Sequence, residues 1–131
     1  CGRVGVAAFG TDVPLVGFDM GGTSTDVCRC VDGEVEMTNV AEVAGALLQF
    51  PQVEVHTVAA GGGSVLEWRD GLFTVGPHSA GAFPGPMCYG RGGPLTVTDA
   101  NVMLGRLHPH MLPSLFGKDG ASPIDPAPAR A

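Results

Sequence analysis

The chain has 131 residues, with 7 Lys or Arg against 13 Asp or Glu, a formal net charge of −6 at pH 7. That balance disfavours a nucleic-acid surface, and no apolar run approaches the length that crosses a bilayer. The 4 cysteines lack the spacing of a disulfide framework, which places the chain in a reducing, cytoplasmic setting.

The first predicted element is an apolar strand through Val16, Gly17 and Phe18 that ends in Asp19. After Met20 come Gly21 and Gly22, three hydroxyls on Thr23, Ser24 and Thr25, and a second carboxylate, Asp26. Glycines let the backbone bring its N–H groups close to a ligand. The hydroxyls add donors for phosphate oxygens, and an aspartate at a strand end suits a hydrated Mg²⁺. A P-loop or a dinucleotide fingerprint would open a helix at this point. Here Asp26–Val31 and Glu34–Thr38 instead flank Asp32-Gly33, the local signal of a two-residue hairpin. The glycines therefore fall in a strand-to-strand turn, either a phosphate-binding one or an ordinary glycine turn. Asp26 reads as the first residue of the strand in preference to a second acid near a metal.

With Asp32-Gly33 as the turn, Val31 faces Glu34, Cys30 faces Val35, Arg29 faces Glu36 and Cys28 faces Met37. Cys28, Cys30, Val35 and Met37 then share one apolar face. Two small apolar residues in a sheet face are preferred there to a metal or redox pair.

A strand over Val53–Val58 follows, then Ala59-Ala60-Gly61-Gly62-Gly63-Ser64, then a hairpin of Val65–Arg69 and Leu72–Val75 around Asp70-Gly71. In that register Trp68 faces Phe73, Leu66 faces Val75 and Glu67 faces Thr74. Three consecutive glycines sacrifice much backbone entropy, so something must approach them closely. A ligand is the preferred candidate, and a tight crossing of the chain against a neighbouring strand is the alternative.

Residues 76–94 hold glycine and proline so densely that neither helix nor central strand is expected to persist. His78 and Arg91 are the side chains there that suit an anion, unless they are solvated loop charges. Thr96–Leu107 is predicted to be a helix, capped by Thr98 or Asp99, with an apolar stripe of Val102, Met103 and Leu107. Asp99 reads as a cap or first-turn acid, with a site role left open. From residue 109 the chain is Pro- and Ala-rich, and is expected to be irregular and loosely attached.

Taken in order, the phrases Asp19–Val27, Ala59–Ser64, Gly76-Pro77 with Ala80-Gly81-Ala82, Pro84-Gly85-Pro86, Cys88–Gly93 and Thr96–Val102 resemble the central region of the hydantoinase A/5-oxoprolinase family, which includes acetone carboxylase subunits. The resemblance runs over roughly residues 14 to 108, and several motifs in register are far more specific than one. It implies an α/β fold: a hairpin-rich, incomplete part of an actin/sugar-kinase-like (ribonuclease H-like) ATPase domain over residues 1–108, with 109–131 as a tail. It implies ATP and Mg²⁺ as cofactors and a cyclic amide as substrate. The activity implied is ring opening of 5-oxoproline or a hydantoin after phosphorylation of the amide carbonyl, with a partner subunit or domain of the hydantoinase B type. By the same resemblance Asp19 is the catalytic and metal-orienting acid. Gly21, Gly22, Thr23, Ser24 and Thr25 hold the phosphates, with Gly61, Gly62 and Gly63 opposite.

The family's earlier glycine-threonine phosphate loop and its later adenine-binding glycines do not occur here. The chain also starts at Cys1 rather than Met, so it is expected to be a fragment, inactive alone, of a longer polypeptide. Three readings stand beside the cyclic amidohydrolase: an ATP-dependent ketone carboxylase subunit, a non-catalytic actin-like nucleotide-binding module, and a structural glycine-rich β domain.

Overall fold

The computed structural model describes residues 2–43 and 45–130. The chain is α/β and rich in short strands, and it divides into two units. One is Cys1–Asp19 with Thr25–Val58; the other is Met20–Ser24 with Ala59–Ala131.

The first unit begins with helix α1 (Gly2–Phe9), which the sequence reading did not anticipate. Gly10 ends it: φ is 86° and its N–H reaches the Val6 carbonyl at 2.9 Å, a left-handed stop open to glycine. Strands β1 (Leu15–Met20), β2 (Thr25–Val31) and β3 (Glu34–Val35) follow in spatial order β1-β2-β3. The β2–β3 turn has the positive φ values of a type I′ hairpin, 52° at Asp32 and 80° at Gly33. As expected, Val31 pairs with Glu34 and Cys30 with Val35, and Arg29 bridges to Glu36 at 3.1 Å.

The expected pairing of Cys28 with Met37 does not form. Short strands β4 (Met37–Thr38), β5 (Ala41–Val43), β6 (Ala46–Leu48) and β7 (Gln52–Val53) lead into β8 (Val55–Val58). Met37 pairs with Val53, β5 pairs with β6, and β8 takes the first four residues of β2, setting Cys28 opposite Val55. Four long-range ladder pairs replace the one that a longer hairpin would have added. Cys30 is buried and Cys28 half-buried, both as free thiols in the sheet.

In the second unit, β9 (Ser64–Arg69) and β10 (Leu72–Ser79) form the expected hairpin, with Phe73 opposite Trp68, Thr74 opposite Glu67 and Val75 opposite Leu66. Asp70 and Gly71 have φ of 53° and 82°. The Trp68 and Phe73 rings meet edge-on, centroids 4.5 Å apart. Contrary to expectation, the strand persists past Val75 through Gly76 and Pro77; the ladder shifts register and resumes with Ser79 opposite Ser64.

Helix α2 (Val97–Met103) is shorter than the predicted one. Its N-cap is Thr96, two residues before Thr98, and Gly105 at φ 67° follows its end. Val102 is buried with Cys88 and Ile124, and Tyr89, Leu107, Leu112 and Phe116 pack around them; Met103 faces solvent instead. The tail is irregular as expected, yet it is not loose. Ile124 is 4% exposed, the Asp125 N–H donates to the Cys88 carbonyl at 2.8 Å, and Phe116 lies against Tyr89.

Candidate functional site

The second unit carries the glycine-rich turn and its backing. The Gly21 N–H closes the turn onto the Ser24 carbonyl at 2.8 Å. Behind the turn, the Gly62 N–H donates to the Gly21 carbonyl (2.9 Å) and the Gly63 N–H to the Gly22 carbonyl (2.6 Å). A Cβ on Gly61 would stand 2.7 Å from the Gly21 oxygen and from the Gly22 carbonyl carbon, and one on Gly63 would stand 2.9 Å from the Gly22 oxygen. The three glycines are thus required by a crossing of two backbones. The Gly61 N–H goes to the buried Ser64 hydroxyl at 3.0 Å. None of the three glycines, nor Gly21, has an amide left for an outside anion. By contrast, the N–H groups of Gly22, Thr23 and Ser24 and the hydroxyls of Thr23 and Ser24 find no acceptor or donor among the described residues. Gly22 and Thr23 are exposed and Ser24 is half-buried. These uncommitted donors sit side by side on a turn that is braced from behind.

Asp19, Thr25 and Asp26 belong to the first unit. Asp19, next to last in β1, is exposed, and its carboxylate meets no donor among the described residues. A cavity of about 120 Å³ is bordered by Gly17, Asp19, Asp26, Val27, Cys28 and Val55. Asp26 accepts a 2.6 Å bond from the Thr57 hydroxyl across the β2–β8 ladder, in keeping with a strand role. Thr25 is 5% exposed, sunk at the start of β2 opposite Val58. No group of three or more His, Cys, Asp or Glu is placed to hold a metal among the described residues.

Of the remaining candidates, Asp99 and Arg91 are engaged in structural contacts. Asp99 has no solvent exposure and its carboxylate accepts four bonds: from the N–H groups of Thr96 (2.8 Å), Met87 (3.0 Å) and Cys88 (2.7 Å) and from the Thr96 hydroxyl (2.9 Å). It therefore closes a capping box on α2 and clamps the glycine-proline loop to it. Burial, and then the neighbouring Asp99 carboxylate, push the Cys88 thiol up to about 12, so this cysteine is protonated and inert at neutral pH. Arg91 is turned inward: its guanidinium donates to the carbonyls of Gly117 (2.9 and 3.1 Å) and Leu115 (3.2 Å) and lies over the Tyr89 ring. His78 stands exposed on β10. Sequence reasoning did not foresee the roles of Thr98, whose N–H holds the Gly62 carbonyl at 2.8 Å, of Ser64, whose hydroxyl accepts from the Gly61 N–H, or of Thr57, whose hydroxyl donates to Asp26 across the β2–β8 ladder. A serine directly after a glycine run was the signal available for Ser64. The other two partners lie 31 and 36 residues away in sequence, Asp26 and Gly62 being their mates.

Comparison with known proteins gives a consistent picture. The family described as hydantoinase/oxoprolinase matches residues 1–131. The 5-oxoprolinase of Saccharomyces cerevisiae is 55% identical over 114 residues, which cover 87% of this chain and 9% of that protein. The crystal structure of ATP-dependent caprolactamase from Pseudomonas jessenii superposes with a TM-score of 0.69 at 38% identity, covering 92% of this chain and 17% of that one. A nucleotide-free structure of acetone carboxylase, an enzyme of ATP-dependent acetone carboxylation, gives 0.68 at 28%, covering 97% and 18%. The chain thus spans about a tenth of the yeast protein it matches and under a fifth of either structure.

Proposed function

We propose, because the chain belongs to the hydantoinase/oxoprolinase family, that the polypeptide carrying it opens a cyclic amide with the help of ATP, and that the Met20–Ser24 turn holds the phosphates. The observation that carries this reading is the uncommitted donor row of Gly22, Thr23 and Ser24 on a turn whose far side is fully hydrogen-bonded. N–H and hydroxyl donors fixed in advance stabilise charge that moves between phosphoryl oxygens without reorganising. Gly61, Gly62 and Gly63 contribute by shaping that turn, and Thr25 by anchoring its exit into β2. Asp19 has the free carboxylate and the exposure that a water-bridged Mg²⁺ requires. The ion, when bound, screens the negative charge of the phosphates.

In this reaction the γ-phosphoryl group passes to the amide carbonyl oxygen and one water adds to that carbon. The C–N bond breaks with a proton going to the departing nitrogen to leave an acyl phosphate, and a second water hydrolyses the acyl phosphate to carboxylate and phosphate. Groups that recognise the ring lie on other parts of the polypeptide or on a hydantoinase B-type partner, and the assembly works in the cytoplasm. The test is calorimetric titration of Mg·ATP into the full polypeptide, followed by ATP turnover with and without 5-oxoproline, hydantoin and caprolactam. Binding with turnover stimulated by one of these rings is the expected result. Binding without stimulation would leave a nucleotide-binding module, and no binding would overturn the reading. The likeness to acetone carboxylase supports a second reading as a ketone carboxylase subunit. ATP consumption that depends on a ketone and bicarbonate, and not on any ring, would establish it.

A further inference from the structure

Within the second unit a continuous relay of bonds runs from a buried carboxylate to the glycine-rich turn. Asp99 fixes the first turn of α2 through Thr96 and ties it to the Met87–Tyr89 segment. One residue earlier, the Thr98 N–H holds the Gly62 carbonyl at 2.8 Å, and the Gly62 N–H holds the Gly21 carbonyl at 2.9 Å. The Thr98 side chain fills the remaining space: a Cβ on Gly62 would lie 2.7 Å from its Oγ1, whereas the Gly21 oxygen would be 3.8 Å away. That hydroxyl has no hydrogen-bond partner among the described residues, so it serves Gly62 by contact alone.

We infer that Thr98 is a positioning residue for the phosphate-holding turn: its N–H and side chain together set how closely Gly62 approaches Gly21, and thereby where the free amides of Gly22 to Ser24 stand. The inference rests on the nucleotide reading of that turn. A side chain at 62 has a removable obstacle, because the clash is with a side-chain atom. At 61 and 63 the obstacles include backbone, and no second substitution can clear them.

The experiment is a double-mutant cycle in the full polypeptide, with Gly62→Ala, Thr98→Ala and both together, read as Mg·ATP affinity by calorimetry well below each variant's melting temperature. Gly62→Ala is expected to weaken binding about fivefold to tenfold, Thr98→Ala less than about twofold, and the pair to recover to within about twofold of the parent. A purely structural role would move the melting temperatures and leave these affinities equal. Equal affinities, or a pair as weak as Gly62→Ala alone, would overturn the inference while the nucleotide reading stands. Absence of Mg·ATP binding by the unsubstituted protein would overturn both. Gly61→Ala combined with Thr98→Ala serves as the control that must not recover.

Discussion

Asp99 and Cys88 are fully buried side by side, and the Cys88 proton is linked to the stability of the second unit. The carboxylate is tolerated there because four donors replace its lost water. The thiol is raised from an ordinary 9.0 to about 12, so between those values the folded chain keeps a proton that the unfolded chain has released. The contribution is therefore complete below pH 9 and is lost as pH climbs through the folded value near 12. Replacing Cys88 with Ala is expected to flatten the fall in stability over that interval, measured by denaturant titration at several pH values. Tyr89, pushed up mainly by burial, will keep its own share of the alkaline slope. At Asp19 the expectation concerns rate instead. Asp19→Asn in the full polypeptide should lower kcat by at least about tenfold while Mg·ATP affinity changes much less, because metal charge matters most in the transition state. Equal turnover by the variant would remove Asp19 from the mechanism.

The elements that were legible in the sequence are those whose information is local. Both Asp-Gly turns fell where dipeptide chemistry demanded, and the registers around them followed from alternation alone. The glycine placements at these turns are requirements. Gly71→Ala, at φ 82°, is expected to cost about 1 to 2 kcal/mol, visible as a lower unfolding midpoint, since an L side chain there strains the backbone. Cys28 was misplaced because its partner, Val55, lies 27 residues downstream and no local pattern announces it. Helix α2 was found but overextended: Gly105, inside the predicted Thr96–Leu107 span, lies just past its end in a left-handed conformation. For the candidate site, sequence located the turn and the glycine run. It could not decide that the run is a crossing, because that depends on where the Gly21 and Gly22 carbonyls point.

For the molecule as a whole, the largest departure from the sequence reading is the tail, whose proline content hid an anchored segment. Ile124 fills space beside Cys88 and Val102, and Arg91 spends its guanidinium on the carbonyls of Leu115 and Gly117. Ile124→Ala is accordingly expected to destabilise the second unit by about 2 to 4 kcal/mol in denaturant titration, whereas a loosely attached tail would give almost no change. Many large apolar side chains remain exposed, among them Phe18 at 64% and Phe73 at 83%, which accords with a chain that spans under a fifth of the solved relatives. The interlocked glycines at 21–22 and 61–63 also have a bearing on paralogues. The two runs form one heritable unit, because bulk gained at 61 or 63 forces the opposing loop to reshape. A paralogue that keeps the first run while position 61 or 63 has gained bulk must therefore carry a reshaped turn, a difference readable from its sequence alone.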